Sequence, residues 1–95
     1  MGIADRAGNK VTEDQYWQID GLLIEVGGAL RKAIEKHAPM HSPHEGHSVI
    51  DEEREELWEH VRADTGRSPE ARKEALQLAA MAVRYIVDLI DGDNR

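Results

Sequence analysis

The fold expected of this 95-residue chain follows from LAAMAVRYIVDLI, residues 78–90. Drawn as a helix it is apolar nearly all the way round, and only Arg84 and Asp88 are charged. At about 100° per residue, these two share one narrow polar stripe with Glu74 and Gln77. A helix of this kind needs other helices against most of its surface. A chain of 95 residues can hardly supply enough other helices. We therefore expect a helical bundle that a homodimer or homotetramer completes.

Three helix starts lie before this stretch. Each is marked by a serine or threonine that precedes a run of helix-forming residues. Thr12-Glu13-Asp14-Gln15 has the form of a capping box. Ser42-Pro43-His44-Glu45 repeats the box, and Ser68-Pro69-Glu70 again places proline at the first helical position. No sustained alternation predicts a strand. We therefore predict an all-α bundle of three to four helices, as one domain over residues 1–95 with a flexible N-terminus at 1–11.

The helix ends are predicted from proline and glycine. They are expected near Ala38 before Pro39, near Asp64 or Thr65 with Gly66 in the left-handed position, and near Ile90 or Asp91. Inside the first helix, Gly27-Gly28 indicates a kink, a break into two helices or a close crossing by another backbone, because glycine lowers helix stability by about 1 kcal/mol.

Composition excludes several classes of protein. The chain has no cysteine, which rules out a disulfide scaffold and any thiolate site. Its net charge of −7 argues against a nucleic-acid partner, since phosphate backbones are bound by clustered lysine and arginine. No apolar run approaches the roughly 18 residues of a membrane span, and residues 1–10 lack the apolar core of a signal peptide. A cytoplasmic protein with no membrane partner is expected.

The acidic residues of the second helix are placed unusually. At about 100° per residue, Glu53 and Glu56 border the apolar stripe, whereas Glu55 points to solvent. Like charges three residues apart repel, and a cation between them relieves the repulsion. With Glu74 and Gln77 on the third helix they form a candidate site for Mg²⁺ or Mn²⁺. A merely solvated acidic face remains the alternative; a di-iron site is disfavoured because no histidine follows a glutamate by three positions.

A family resemblance is carried by these residues. Glu52-Glu53-Arg54-Glu55-Glu56, followed after 17 residues by Glu74, resembles the E-E-x-x-E … E-x-x-D signature of the MazG-like all-α nucleoside triphosphate pyrophosphohydrolases. His44-Glu45-Gly46, Glu56-Leu57-Trp58 and residues 78–84 are similar to the small phage-type members. The resemblance covers roughly residues 42–91 and matches the first helix only in kind.

The resemblance implies hydrolysis of a (deoxy)nucleoside triphosphate to monophosphate and pyrophosphate, with dATP or dGTP as suggested substrates. The implied metal ligands are Glu52, Glu53, Glu56, Glu74 and Gln77, and the implied catalytic residues are Glu53 and Glu56. Arg84, Lys73 and His44 are the expected substrate contacts. Gln77 stands where the family has aspartate and supplies neither charge nor base.

Other functions stay open at this point. Gln77 is also consistent with a catalytically weakened or inactive oligomerisation or partner-binding module on the same scaffold. A third hypothesis, an acidic mimic of nucleic acid, rests on the net charge alone. His41-x-x-His44-x-x-His47 allows a transition-metal site, although histidines beside proline and serine are more often exposed polar residues.

Overall fold

The computed structural model describes residues 10–92, which form three α-helices and a terminal π-helical segment. Helix α1 spans Glu13–Lys36, α2 spans Pro43–Asp64 and α3 spans Pro69–Tyr85, and Ile86–Asp91 continues α3 as a π-helix. No strand occurs between residues 10 and 92. The prediction of an all-α fold is confirmed. The predicted flexible N-terminus lies outside the described residues except for its last two.

The starts of α1 and α2 follow from their caps. The Thr12 hydroxyl accepts from the backbone N–H of Gln15 at 3.2 Å, and the Gln15 side chain accepts from the Thr12 N–H at 3.0 Å, which is the predicted capping box. Ser42 likewise accepts from the N–H of Glu45 at 3.1 Å. The Glu45 carboxylate, however, accepts from the N–H of His41 instead of closing a box on Ser42. Only half of the second predicted box is therefore formed.

The turn between α2 and α3 is built on one carboxylate. Helix α2 ends at Asp64 as predicted, and both Thr65 and Gly66 adopt left-handed backbone angles, with φ of 84° and 73°. The Asp64 carboxylate accepts from the Gly66 N–H at 3.1 Å and from the Ser68 hydroxyl at 2.9 Å, and it lies 2.9 Å from Nδ1 of His60. Hydrogen bonds from His60, Gly66 and Ser68 hold the pKa of Asp64 below its usual value.

The end of α1 is held by Arg84 of α3. Three carbonyl groups accept from its guanidinium at 2.9–3.1 Å: those of Ala33, His37 and Ala38. Arg84 Nε also donates to Asp88 at 2.8 Å, and Asp88 accepts from the N–H of Met40 at 3.0 Å. Helix α1 ends at Lys36, two residues earlier than predicted, because Pro39 disfavours helical backbone at the preceding residue and Arg84 binds the carbonyl groups of His37 and Ala38 in the extended chain that follows.

The core is thin. Helix α3 is central, since it packs against both α1 and α2. Ala80 and Met81 of α3 are buried together with Met40 from the loop before α2. Partly buried apolar residues surround them: Val26, Ala29, Leu30, Ala33, Val49, Ile50, Tyr85 and Leu89. A bidentate ion pair between Arg72 and Glu25 also joins α3 to α1 at the surface.

Glycine has a packing role in α2 rather than in α1. Helix α1 runs without interruption through Gly27 and Gly28, and a Cβ at either position would meet nothing within 4 Å. The expected break into two helices is therefore absent, and no other part of the described chain crosses α1 closely at this pair. A Cβ at Gly46 would lie 2.6 Å from Tyr85 and 2.9 Å from Leu89. It is this glycine that lets α2 approach the end of the third helix closely.

No helix within residues 10–92 combines the length and the apolar character that crossing a membrane would require.

Candidate functional site

Three carboxylates from two helices meet at the contact between α2 and α3. Glu53 and Glu56 lie one turn apart on α2, and Glu74 lies near the start of α3. Each offers a carboxylate oxygen, and the three atoms lie within 4.8 Å of one another. Glu53 and Glu74 are half-buried, whereas Glu56 is exposed. We call these three residues the acidic cluster.

The surroundings of Glu53 shift its pKa strongly upwards. Burial raises its pKa, and the Glu56 carboxylate adds to the shift through both its charge and a hydrogen bond. The charges of Glu74 and Glu52 act in the same direction, and the pKa of Glu53 reaches about 7. The cluster therefore holds a proton near neutral pH that an isolated glutamate would have lost. A cation at this position would replace that proton.

A cleft of about 590 Å³ opens beside the acidic cluster. Its α2–α3 side includes Glu52, Glu53 and Gln77, and its other side is the C-terminal half of α1. The volume lies within the roughly 300–1,000 Å³ typical of small-molecule sites. Glu53 belongs both to the acidic cluster and to the cleft lining. Of the three residues of the acidic cluster, Glu53 is thus the one that also lines the cleft.

The donor set suits a hard cation. Three carboxylate oxygens on two packed helices match the oxygen ligands of Mg²⁺, Mn²⁺ or Ca²⁺. Among the described residues, the acidic cluster contains neither a thiolate nor a histidine, which softer metals prefer. Glu52 and Gln77 line the same cleft as Glu53. Three of the five residues that the resemblance assigned to a metal thus lie together, and the other two lie on the wall of the adjacent cleft.

The predicted substrate contacts are placed less favourably. Arg84 borders the cleft but is only 3% exposed, and it forms the four hydrogen bonds described above. The donors that the sequence assigned to a substrate phosphate are occupied by the backbone and by Asp88. His44, in the first turn of α2, and Lys73, beside Glu74, are exposed and lie outside the cleft lining. Their contact with a substrate stays a prediction.

Sequence reasoning missed the cations that do line the cleft. Lys32 and Lys36 lie on the last two turns of α1, on its cleft side. The family resemblance begins only near residue 42 and so did not reach them. Their four-residue spacing places two like charges on one helix face, which is the signal that the sequence contained.

Comparisons of this chain with protein-family models, with curated proteins and with solved structures find no match. The chemistry of the site is therefore inferred from its own residues.

Proposed function

We propose that this protein hydrolyses (deoxy)nucleoside triphosphates to the monophosphate and pyrophosphate in the presence of Mg²⁺, with Mn²⁺ as a substitute. The observation that carries the proposal is the acidic cluster, whose three carboxylate oxygens lie within 4.8 Å at the edge of the cleft. The E-E-x-x-E … E motif that supplies these residues resembles that of the MazG-like enzymes, and dATP and dGTP are the substrates to try first.

The residues divide the chemistry between them. Glu56 and Glu74 hold the cation, and Glu52 and Gln77 contribute oxygen ligands from the cleft side. Glu53 shares in that binding and orients the attacking water, because it is the member of the acidic cluster that also lines the cleft. When bound, the cation supplies charge neutralisation of the phosphates and a water of lowered pKa. Gln77 adds no charge, so its replacement by aspartate is expected to raise the rate.

The test is a panel of canonical and modified ribo- and deoxyribonucleoside triphosphates incubated with Mg²⁺, with the products separated by ion-exchange chromatography. We expect pyrophosphate and monophosphate, and a rate reduced roughly a hundred-fold or more in Glu53→Gln. Glu55→Gln, which removes an exposed acid from the same helix, is the matched control and is expected to retain the activity. Direct release of orthophosphate, or no turnover of any triphosphate, would contradict the proposal.

A second candidate function is an oligomerisation or partner-binding module without catalysis. It is favoured by the apolar surface of α1. No residue of this helix is buried, and its apolar side chains include Leu23, which is 62% exposed, and Ile24, which is 75% exposed. Self-association is compatible with both candidates. The non-catalytic one predicts that neither Mg²⁺ nor Mn²⁺ raises the melting temperature, whereas an intact metal site predicts a rise that Glu53→Ala abolishes.

A further inference from the structure

The α1 side of the cleft carries two lysines, Lys32 and Lys36, one helical turn apart. Both side chains are exposed, and neither forms an ion pair with any residue between 10 and 92. Two like charges four residues apart on a helix repel each other. An anion bound between them would remove that repulsion.

The end of α1 that carries Lys36 is held in place by Arg84 of α3. The carbonyl groups of Ala33, in the last turn of α1, and of His37 and Ala38, just after it, accept from the buried guanidinium. The charge of Arg84 is itself paired with Asp88. The positive charge that this side of the cleft offers to a ligand is therefore that of the two lysines.

The two sides of the cleft thus differ in charge. Lys32 and Lys36 line the α1 side, while the carboxylates of Glu45, Glu52 and Glu53 line the α2 side. A ligand that bridges the sides must be anionic towards the lysines and able to share a cation with the carboxylates. Linear polyphosphates have both properties. A cleft of about 590 Å³ accepts one small molecule, and the net charge of −7 opposes a nucleic-acid strand.

We propose that Lys32 and Lys36 bind the phosphate oxygens of a nucleoside triphosphate on the side of the cleft away from the acidic cluster. The inference rests on the proposed function. In it, Lys32 and Lys36 hold the phosphate oxygens that the metal does not contact. Lysine suits this role as a mobile point charge that binds phosphate without a fixed geometry. The two lysines thus have the phosphate-binding role that was expected of Arg84 from the sequence.

The test measures binding of sodium tripolyphosphate by isothermal titration calorimetry, with and without Mn²⁺, and of Mn²⁺ alone. The double variant Lys32→Ala/Lys36→Ala is expected to bind tripolyphosphate roughly a hundred-fold more weakly in the presence of Mn²⁺, since each charged hydrogen bond contributes about ten-fold or more. Its affinity for Mn²⁺ alone is expected to stay within about three-fold of the original. Arg31→Ala is the matched control, because Arg31 is exposed on α1 outside the cleft lining. Lys32→Arg/Lys36→Arg is expected to retain most of the affinity.

The outcomes separate the two proposals. Unchanged tripolyphosphate affinity in the double alanine variant would overturn the lysine site and leave metal-dependent hydrolysis standing. An equal loss in Arg31→Ala would also overturn it, since the effect would then be general attraction to a basic helix. Tripolyphosphate binding that needs the lysines but not Mn²⁺, with no Mn²⁺ binding to the chain, would support the lysine site and contradict the proposed function. Binding of neither probe would contradict both.

Discussion

Arg84 joins three parts of the chain through a single guanidinium. Its position on the polar stripe of the third helix made it look like a residue for a ligand, because a charge beside a candidate site commonly serves one. The structure buries it beneath the end of α1, where it pairs with Asp88 and with three carbonyl groups. Sequence spacing located the stripe correctly but contained no information on which element would cover it.

Replacing Arg84 by methionine is expected to lower the free energy of unfolding by about 3–5 kcal/mol, because Asp88 and the carbonyl groups would lose their buried partner. The double variant Arg84→Met/Asp88→Leu should recover part of that loss. Urea unfolding followed by circular dichroism measures both. Arg72→Met, which breaks an exposed ion pair with Glu25, is the control and should change stability far less. An equally small effect at Arg84 would mean that its bonds do not hold the fold.

Glu53 predicts a pH dependence of stability. Its pKa rises from 4.5 to about 7 on folding, so between these values the folded chain retains a proton that the unfolded chain has lost. Stability should therefore fall as pH rises from about 4.5 to about 7 when no divalent cation is present. Since Glu53 is only half-buried and solvent screens its neighbours, Glu53→Gln should stabilise the protein by about 1 kcal/mol at pH 8.

Urea unfolding at pH 5 and pH 8 measures this difference, with Glu55→Gln as the control that should keep the original pH dependence. Mn²⁺ is expected to restore stability at pH 8 in the original chain, because a bound cation removes the repulsion in the acidic cluster. The same pH dependence in Glu53→Gln and in the original chain would show that other groups cause it.

At the scale of the helices, starts were predicted better than ends and contacts. A cap is a bond between residues three apart, so Thr12 with Gln15 could be found by inspection. The change to π-helix at Ile86 was not predicted by any pattern in the sequence. A close contact was expected at the glycine pair in α1, but it is found at Gly46. The absence of a side chain does not indicate which neighbour approaches a glycine.

The glycines give a matched pair of substitutions. Gly28→Ala should stabilise the protein by up to about 1 kcal/mol, since alanine favours helix and its Cβ meets nothing within 4 Å. Gly46→Ala should destabilise it by about 1–3 kcal/mol, because the new Cβ would force Tyr85 and Leu89 to move. The free energy lost in that rearrangement exceeds the gain in helix propensity. Thermal unfolding of both variants provides the measurement. Loss of stability in Gly28→Ala would indicate that another chain packs against α1.

The whole molecule is more open than its length requires. Its radius of gyration is 15.7 Å, against about 12 Å for a compact domain of this size. Large apolar side chains lie at the surface of α1 and of the end of the third helix: Tyr16, Trp17, Ile19, Leu23, Ile24, Ile34, Val83, Ile86 and Ile90. We infer that a second copy covers part of this surface, as the apolar third helix had suggested.

Sedimentation velocity is expected to give the mass of a dimer or tetramer at micromolar concentration. Ile24→Lys, at a position that is 75% exposed, should shift the chain towards monomer. Gln18→Lys adds the same charge at another exposed position of α1 and should leave the assembly unchanged. A monomeric mass for the original chain at tens of micromolar would contradict the inference.

The helical class, the helix starts and the one-turn spacing of Glu53 and Glu56 could be predicted from the sequence, because these depend on interactions within a few residues along the chain. The contact of Glu74 with this pair was expected from the motif, and the packing of α2 against α3 brings the three carboxylates together. The burial of Arg84 beneath the end of α1 and the position of Lys32 beside the cleft carboxylates could be seen only in the folded chain. These contacts join residues far apart in the chain, and packing around the third helix, rather than local preference, brings them together.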